Sequence, residues 1–150
     1  MATLSSVFDP KSIALIGASD REGSVGRIIM TNLLRAKGRR IFPVNPHRQT
    51  LCKLKCYPDV SSIPEHVDLA VIAIPAPGVP VVMEDCGQAG VDGAVIISSG
   101  FRETGAEGAL LERRISETRK RYGMRILGPN CLGFVRPDVG LNTTFIEDTP

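Results

Sequence analysis

The sequence predicts an α/β protein with a doubly wound, mostly parallel sheet, a Rossmann-like arrangement. Short apolar runs rich in β-branched residues alternate with segments of helical periodicity, and glycine stands at many of the junctions. The runs are apolar at nearly every position, as expected for parallel strands that helices cover on both faces. At 150 residues and 43% hydrophobic composition, the chain is long enough for one domain with a single core.

The first half of the predicted sheet begins with a buried strand at residues 12–16, followed by a loop that contains several glycines. A helix then starts near Ser24 and ends with Gly38 as its C-cap. Its apolar positions share one face: Val25, Ile28, Ile29, Leu33 and Ala36. Residues 40–44 form the second predicted strand, and Tyr57 ends a short edge segment.

The second half repeats the pattern of strand, helix and glycine. The run at 67–74 (VDLAVIAI) predicts a strongly apolar strand, which Pro75 ends. A helix over 80–89 follows and ends at Gly90, and residues 93–97 form the next strand. The inward positions of this helix are Val82, Cys86 and Ala89.

A long helix over 106–122 and a strand over 124–127 complete the predicted sheet. The inward face of the helix comprises Leu111, Ile115, Thr118 and Tyr122, and Gly123 ends it. A crossover or edge strand near 141–146 closes the domain. Because the sequence then runs into the linker-like Glu-Asp-Thr-Pro, we expect residues 1–150 to be the N-terminal fragment of a longer multidomain protein.

Composition and patterning exclude several classes of protein. No signal peptide is predicted, because Asp9, Pro10 and Lys11 interrupt the N-terminal segment. The longest uncharged apolar stretch, 69–83, is shorter than the roughly 18 residues of a membrane span and contains three prolines. Without a secretory signal, the four cysteines indicate reduced thiols. We therefore expect a cytoplasmic protein with no membrane association.

Positive charge is concentrated in one segment, although the formal net charge is only +2. Between Gly23 and Pro58 the chain has no Asp or Glu. The basic residues there are Arg27, Arg35, Lys37, Arg39, Arg40, Arg48, Lys53 and Lys55. The whole chain has only five Phe and two Tyr, so an aromatic platform for nucleic acid is missing. The pattern favours a small anion over nucleic acid as the ligand. The alternative is a solvent-exposed basic surface that binds no ligand.

The loop from Gly17 to Gly26 predicts where that anion binds. Glycines allow a tight turn and a close approach of ligand to backbone, and the first N–H groups of the following helix lack intrahelical partners. The dinucleotide fingerprint G-x-G-x-x-G does not fit, because Ser19 and Glu22 occupy its glycine positions. The second strand also lacks the ribose-binding acid at its end, where the chain reads Asn45-Pro46-His47-Arg48. A ligand with an extra phosphate is favoured over NAD(H).

Ligands of open parallel sheets bind outside the carboxyl ends of the strands. The segments predicted at those ends are 17–26, 44–47, 74–77, 98–101 and 128–133. Each is rich in Gly, Pro, Ser or Asn, and none supplies a pair of acid and base groups. We predict a binding rim with no catalytic residues.

Structural roles are favoured over chemical ones for three further groups of residues. Cys131 has no His or Asp placed to activate it, so packing is favoured over nucleophilic attack. Cys52, Cys56 and His47 lack a second ligand pair for zinc, so no metal site is predicted. Glu103 is interpreted as a carboxylate that complements a helix start.

Five motifs carry a resemblance to a known family. The segments IGASDREGSVGR, FPVNP, DLAVIAIPAP, IISSGFRETG and ILGPNCLG, in this order and spacing, resemble the CoA-binding domain of NDP-forming acyl-CoA synthetases. That family includes ADP-forming acetyl-CoA synthetase and is similar to the α subunit of succinyl-CoA synthetase. The resemblance covers about residues 7–146. It implies coenzyme A as the ligand and an acid-thiol ligase as the parent protein.

The resemblance also implies roles for individual residues. The loop that receives the CoA phosphates corresponds to Gly17, Ala18, Ser19 and Asp20, with Ser24 and Val25 opposite. The 3′-phosphoadenosine is bordered by Asn45 and Pro46, followed by His47 and Arg48 where relatives commonly carry Lys. The adenine packs on Pro75 and Ala76. The pantetheine side contacts Ile97, Ser98 and Ser99, and the thiol end lies near Asn130 and Cys131.

In the resembled enzymes, a later domain carries a phosphorylated histidine, and ATP-grasp domains or a β subunit bind the nucleotide. Neither His47 nor His66 lies in a segment that matches that histidine. We therefore expect CoA or acyl-CoA binding without catalysis, in a homo- or hetero-oligomer or alone. A stand-alone or acyltransferase-fused CoA-binding regulatory module is the alternative, and an NAD(H)-binding Rossmann domain is less favoured.

Overall fold

The computed structural model describes residues 2–147, so Met1 and residues 148–150 of the predicted domain lie outside it. The helices are α1 (Leu4–Phe8), α2 (Val25–Leu34), α3 (Val79–Gln88) and α4 (Ala106–Tyr122). The longer strands are β1 (Ser12–Ile16), β2 (Arg40–Val44), β5 (Leu69–Ile72), β6 (Gly93–Ile96) and β7 (Arg125–Leu127). Four two-residue strands complete the set: β3 (Thr50–Leu51), β4 (Leu54–Lys55), β8 (Val135–Arg136) and β9 (Leu141–Asn142).

The main sheet is parallel throughout and has the order β2-β1-β5-β6-β7. The two short pairs, β3 with β4 and β8 with β9, are separate antiparallel ribbons. Tyr57 forms a parallel bridge to Val44 beside β2, as predicted for a short edge segment. The doubly wound parallel sheet expected from the sequence is confirmed.

Two apolar clusters lie on opposite faces of the sheet, because alternate side chains of a strand point to opposite sides. On one face, Ala14, Ala70 and Ala94 pack with residues of α3 and α4. On the other face, Ile13, Leu15 and Val71 pack with residues of α2 and β9. Every residue of β1, β5 and β6 is buried, which explains why these strands are apolar without alternation.

The observed helices differ from the predictions mainly at their ends. α2 ends at Leu34 with Arg35 as its C-cap, so Gly38 lies beyond the helix in a left-handed turn. α3 ends at Gln88 and leaves Ala89 exposed, so the inward placement predicted for Ala89 is wrong. The bounds of α4 are confirmed. Strands β5, β6 and β7 are shorter than predicted. The predicted residues that lie outside them are 67–68, 73–74, 97 and 124.

The predicted inward faces are also corrected at single positions. Val25 is exposed at the start of α2, where the helix faces the loop edge of the sheet and not the core. Tyr122 is partly exposed and does not enter the core. Its ring lies over Gly87 of α3, and its hydroxyl donates a hydrogen bond to Glu84. A Cβ on Gly87 would lie 2.2 Å from the Tyr122 ring, so the two helices approach closely there.

The segment near 141–146 does not form an edge strand of the main sheet, contrary to that alternative of the prediction. β9 pairs with β8, and the chain then crosses α2. The buried Asn32 amide of α2 donates hydrogen bonds to the carbonyls of Thr144 and Ile146, at 2.9 and 3.0 Å. The sequence pattern gives no sign of these two bonds, because Asn32 looks like an ordinary polar helix residue. Among residues 2–147, no helix is both long and apolar enough to cross a membrane.

Candidate functional site

The sheet has its topological switch between β1 and β5, where successive connections run in opposite directions across the sheet. Ligands of doubly wound folds bind in the crevice at this point, outside the carboxyl ends of the strands. Here the Gly17–Gly26 loop follows β1, and Ile74 and Pro75 follow β5. The site residues predicted from the sequence come together at this edge.

Two glycines hold the loop tightly against the sheet. A Cβ on Gly17 would lie 2.2 Å from the Ala73 carbonyl oxygen, and Gly17 has a φ of +96°. A Cβ on Gly26, in the first turn of α2, would lie 2.1 Å from the Gly17 carbonyl oxygen. Both approaches exclude any side chain, so these glycines are required by the backbone itself.

Serine side chains order the loop between those glycines. Ser24 is the N-cap of α2, and its hydroxyl oxygen accepts a hydrogen bond from the Arg27 amide at 3.3 Å. The same hydroxyl donates to the Arg21 carbonyl at 2.7 Å. The hydroxyl oxygen of Ser19 accepts from the Arg21 amide at 3.0 Å. These hydrogen bonds fix the shape of the loop.

The loop after β2 is attached to the glycine loop by side chains from both. The Asn45 amide donates to the Ala18 carbonyl at 2.9 Å. The Arg48 guanidinium donates to the Asp20 carboxylate at 2.9 Å, with both side chains about half exposed. An acid thus does reach the end of β2, but it comes from the glycine loop and is paired with Arg48.

A first pocket of about 490 Å³ lies between these loops and α3. Its lining includes six predicted residues, Gly17, Ala18, Ser19, Asn45, Pro46 and His47, together with Pro75. Its remaining walls are Ile16, Val44, Pro58, Asp59, Val60, Ile74, Val82 and Asp85. The lining is mainly apolar, and its two acids, Asp59 and Asp85, lie on the wall formed by the Pro58–Val60 segment and α3.

A second pocket of about 450 Å³ adjoins the first, because Ile74 and Pro75 line both. Its lining includes six predicted residues besides Pro75: Val25, Ile97, Ser98, Ser99, Asn130 and Cys131. Ala73, Leu132 and Phe145 complete it. Both pockets lie at the carboxyl edge of the sheet, and we refer to them together as the cleft.

Backbone and side-chain hydrogen bonds fix the wall of the second pocket. The Ser98 hydroxyl oxygen accepts from the Ile74 amide at 3.2 Å, and the Ser98 carbonyl accepts from the Asn130 amide at 2.9 Å. The Cys131 thiol donates to the Ile96 carbonyl at 3.3 Å. Burial raises the pKa of Cys131, so its thiol stays protonated at neutral pH. This fits the predicted packing role for Cys131.

Four predicted residues lie beside the cleft without lining either pocket. Asp20, Ser24 and Arg48 form the hydrogen bonds that order the loops. Ala76 is buried in the core under the cleft and does not face the first pocket. The resemblance placed Ala76 against the adenine, and the structure gives it a packing position.

Sequence reasoning missed one wall of the first pocket, formed by Val60, Val82 and Asp85. Val82 and Asp85 are three residues apart on α3 and therefore share a face. Periodicity assigned Val82 to the core and left Asp85 unassigned, although the spacing of the two was a usable signal. Val60 lies in a 3-10 turn (Val60–Ser62) that no periodic pattern marks.

Glu103 occupies a 3-10 turn (Arg102–Thr104) before α4 and not the first turn of the helix itself. Its carboxylate accepts hydrogen bonds from the backbone amides of Gly100 and Phe101. These bonds lower the pKa of Glu103 below its ordinary value. Glu103 thus fixes the turn that follows β6, next to the second pocket.

The other titratable groups singled out in the sequence lie elsewhere. His66 lies 3.4 Å from carboxylate oxygens of both Asp68 and Asp92, which precede β5 and β6 at the amino edge of the sheet. Cys52 is exposed and Cys56 is buried, and all four cysteines are free. Neither His66 nor Cys52 lines the cleft.

Comparisons with known proteins identify relatives of this chain. A family model described as "CoA binding domain" matches residues 11–137. The chain is 48% identical over 144 residues to an ADP-forming acetate–CoA ligase of Archaeoglobus fulgidus, covering 96% of this chain and 21% of the relative. It is 47% identical to the α subunit of an ADP-forming acetate–CoA ligase of Pyrococcus furiosus, covering 95% of this chain and 32% of the subunit.

A solved structure shows the same fold. The acetyl-coenzyme A synthetase 1 of Ca. Korarchaeum cryptofilum, in complex with phosphate and ADP, matches with a TM-score of 0.92 and 42% identity. That match covers 99% of this chain and 32% of the other. The chain thus spans between about a fifth and a third of the length of these relatives.

Proposed function

The chain belongs to the family of CoA binding domains, and on this premise we propose that it binds coenzyme A along the cleft described above. The adenine nucleotide occupies the first pocket, and the pantetheine arm runs past Pro75 into the second. The thiol end lies near Asn130 and Cys131. One observation carries the proposal: two pockets, joined at Ile74 and Pro75, match a ligand with a nucleotide at one end and a thin arm at the other.

The charges around the first pocket support this orientation. Arg48 lies in the loop after β2, and the adjacent His47 lines the first pocket. The 3′-phosphate of CoA binds there, while the diphosphate lies against the Gly17–Gly26 loop at the start of α2, where backbone N–H groups favour anions. Arg48 takes the place of the lysine that relatives commonly carry.

We further propose that the whole protein is an acid-thiol ligase that converts acyl-CoA, ADP and phosphate to carboxylic acid, CoA and ATP, and the reverse. The support is the names of relatives such as the ADP-forming acetate–CoA ligases, of which this chain matches one part. The phosphohistidine and ATP-grasp portions belong to segments or subunits other than residues 1–150. The chain itself binds CoA without catalysing the reaction.

Isothermal titration calorimetry of the chain with CoA, 3′-dephospho-CoA and NAD tests the ligand assignment. We expect CoA to bind more tightly than dephospho-CoA, and both more tightly than NAD. Tighter binding of NAD would overturn the assignment. Formation of acetyl-CoA from acetate, ATP and CoA by the chain alone would refute its noncatalytic role.

A paired substitution locates the phosphates. Ser19→Glu places a negative charge in the lining of the first pocket, and we expect it to abolish CoA binding while the fold is retained. Ser5→Glu is the matched control, because exposed Ser5 lies in α1, which contacts the amino end of β6 at the opposite edge. Undiminished CoA affinity in Ser19→Glu would move the phosphate site elsewhere.

A further inference from the structure

The wall of the first pocket formed by α3 and the Pro58–Val60 segment carries two carboxylates, Asp59 and Asp85. α3 presents Val82 and Asp85 to this pocket, and the neighbouring lining residues Pro58, Val60 and Pro75 are apolar. Such a surface suits the flat face of a base. An acid in this lining offers the base a hydrogen-bond acceptor and so can fix its orientation.

The Asp85 carboxylate has no hydrogen-bond or ion-pair partner within the described part of the chain, whereas the carboxylates of the two neighbouring acids are both engaged. The Asp59 carboxylate accepts from the hydroxyls of Ser61 and Ser62 and from the Ser62 amide. The Glu84 carboxylate accepts from Tyr122 and Arg121. All three bonds to Asp59 fall on its Oδ1, whereas neither carboxylate oxygen of Asp85 is engaged, so Asp85 has the largest acceptor capacity free for a ligand among these three acids.

The surroundings of Asp85 make a donor from a ligand favourable. Partial burial, followed by repulsion from Asp59 and Glu84, raises the pKa of Asp85 above its ordinary value. A carboxylate that loses water without gaining a donor is destabilised. A hydrogen bond from a bound molecule offsets this loss, so the pocket gains most from a ligand with an N–H group at the Asp85 wall.

We propose that Asp85 determines which base the first pocket accepts, by taking a hydrogen bond from the exocyclic amine of adenine. The inference rests on the proposed CoA binding and adds a specificity residue to it. Adenine presents an amino donor at its 6-position, whereas a 6-oxopurine presents a carbonyl acceptor there. A carboxylate facing that carbonyl repels it, so the pocket excludes hypoxanthine-containing analogues as well as binding adenine.

The test compares CoA with its hypoxanthine analogue, in which oxygen replaces the 6-amino group. We expect the wild-type chain to prefer CoA by about 10- to 100-fold, the range expected for one hydrogen bond to a charged group. In Asp85→Asn, which keeps the side-chain shape, the preference falls to within about 3-fold, because an amide can donate to the carbonyl or accept from the amine. Glu117→Gln, at an exposed acid of α4 outside both cleft pockets, retains the wild-type preference.

Each outcome separates the two proposals. An unchanged preference in Asp85→Asn, or equal affinities for the two ligands in the wild-type chain, would overturn the role of Asp85 and leave CoA binding intact. Absence of CoA binding to the wild-type chain would overturn the proposed function and this inference with it. Thermal unfolding of Asp85→Asn at a temperature equal to or above that of the wild type shows that the fold is retained, because the variant loses a repelled charge.

Discussion

Replacing Arg48 by alanine tests how the protein recognises the 3′-phosphate. The guanidinium is about half exposed and pairs with Asp20 at 2.9 Å. A phosphate monoester at the mouth of the first pocket therefore competes with Asp20 for Arg48. The variant removes the phosphate contact and this internal pair together.

The size of the effect follows from the two competing interactions. At about 4 Å in water, two unit charges attract by about 1 kcal/mol. A phosphate monoester carries about −1.5 to −2 charges at pH 7, which gives about 1.5–2 kcal/mol of attraction. The exposed Arg48–Asp20 pair that must open is worth about 0.2–1 kcal/mol. A net loss of about 1 kcal/mol remains, or about a 5-fold weaker affinity for CoA.

Calorimetry with CoA and dephospho-CoA, each at low and high salt, measures this effect. We expect Arg48→Ala to weaken CoA binding about 5-fold at low salt and to leave the affinity for dephospho-CoA unchanged. The difference in CoA affinity between wild type and variant becomes smaller at high salt, because salt screens the charges. Arg113→Ala, an exposed arginine of α4 outside the cleft, is the matched control and leaves both affinities unchanged. Equal weakening of CoA and dephospho-CoA by Arg48→Ala would refute the assignment of the 3′-phosphate to Arg48.

Three further predictions concern stability and reactivity. Gly23→Ala should lower the free energy of unfolding by about 1–2 kcal/mol, since φ is positive but the space is open, and Gly17→Ala should lose about 1–3 kcal/mol more through its backbone clash; equal losses in urea denaturation would contradict this. Glu103→Gln should be less stable than the wild type at pH 7. Because the folded-state pKa of Glu103 lies below the ordinary 4.5, its contribution is present above that value and is lost as the pH falls through the folded-state pKa. A deficit that does not shrink in urea denaturation at pH 3 would argue against this. In native alkylation followed by mass spectrometry, Cys131 should react more slowly than exposed Cys52, because burial raises the pKa of Cys131; faster labelling of Cys131 would overturn its packing role.

Sequence reasoning succeeded where local chemistry dominates. Strands β1, β5 and β6 are buried on both faces, so their apolar composition identified them directly. The glycine loop was recognisable because a strand, a tight turn and an N-capped helix follow one another along the chain. These features depend on neighbours in sequence.

Features that depend on distant parts of the chain were missed. The pairing of Arg48 with Asp20 joins loops 28 residues apart, and nothing in either segment indicates it. Asn32 binds carbonyls more than 100 residues away, and the segment near 141–146, expected as a crossover or edge strand, lies against α2. Asp85 lines the first pocket because α3 lies beside the segment at Pro58–Val60, which is distant in sequence.

The close contacts at Gly17 and Gly26 separate ligand preference from folding stability, two properties that one mutation usually changes together. The first glycine lies against Ala73, and the second against the first, so both ends of the loop are fixed by close backbone contacts. Between them, the side chains of Arg21 and Glu22 are exposed. Exchanging these two residues alters what the loop offers a ligand while β1 and α2 keep their positions, so ligand preference in this domain is open to redesign there at little risk to its folding.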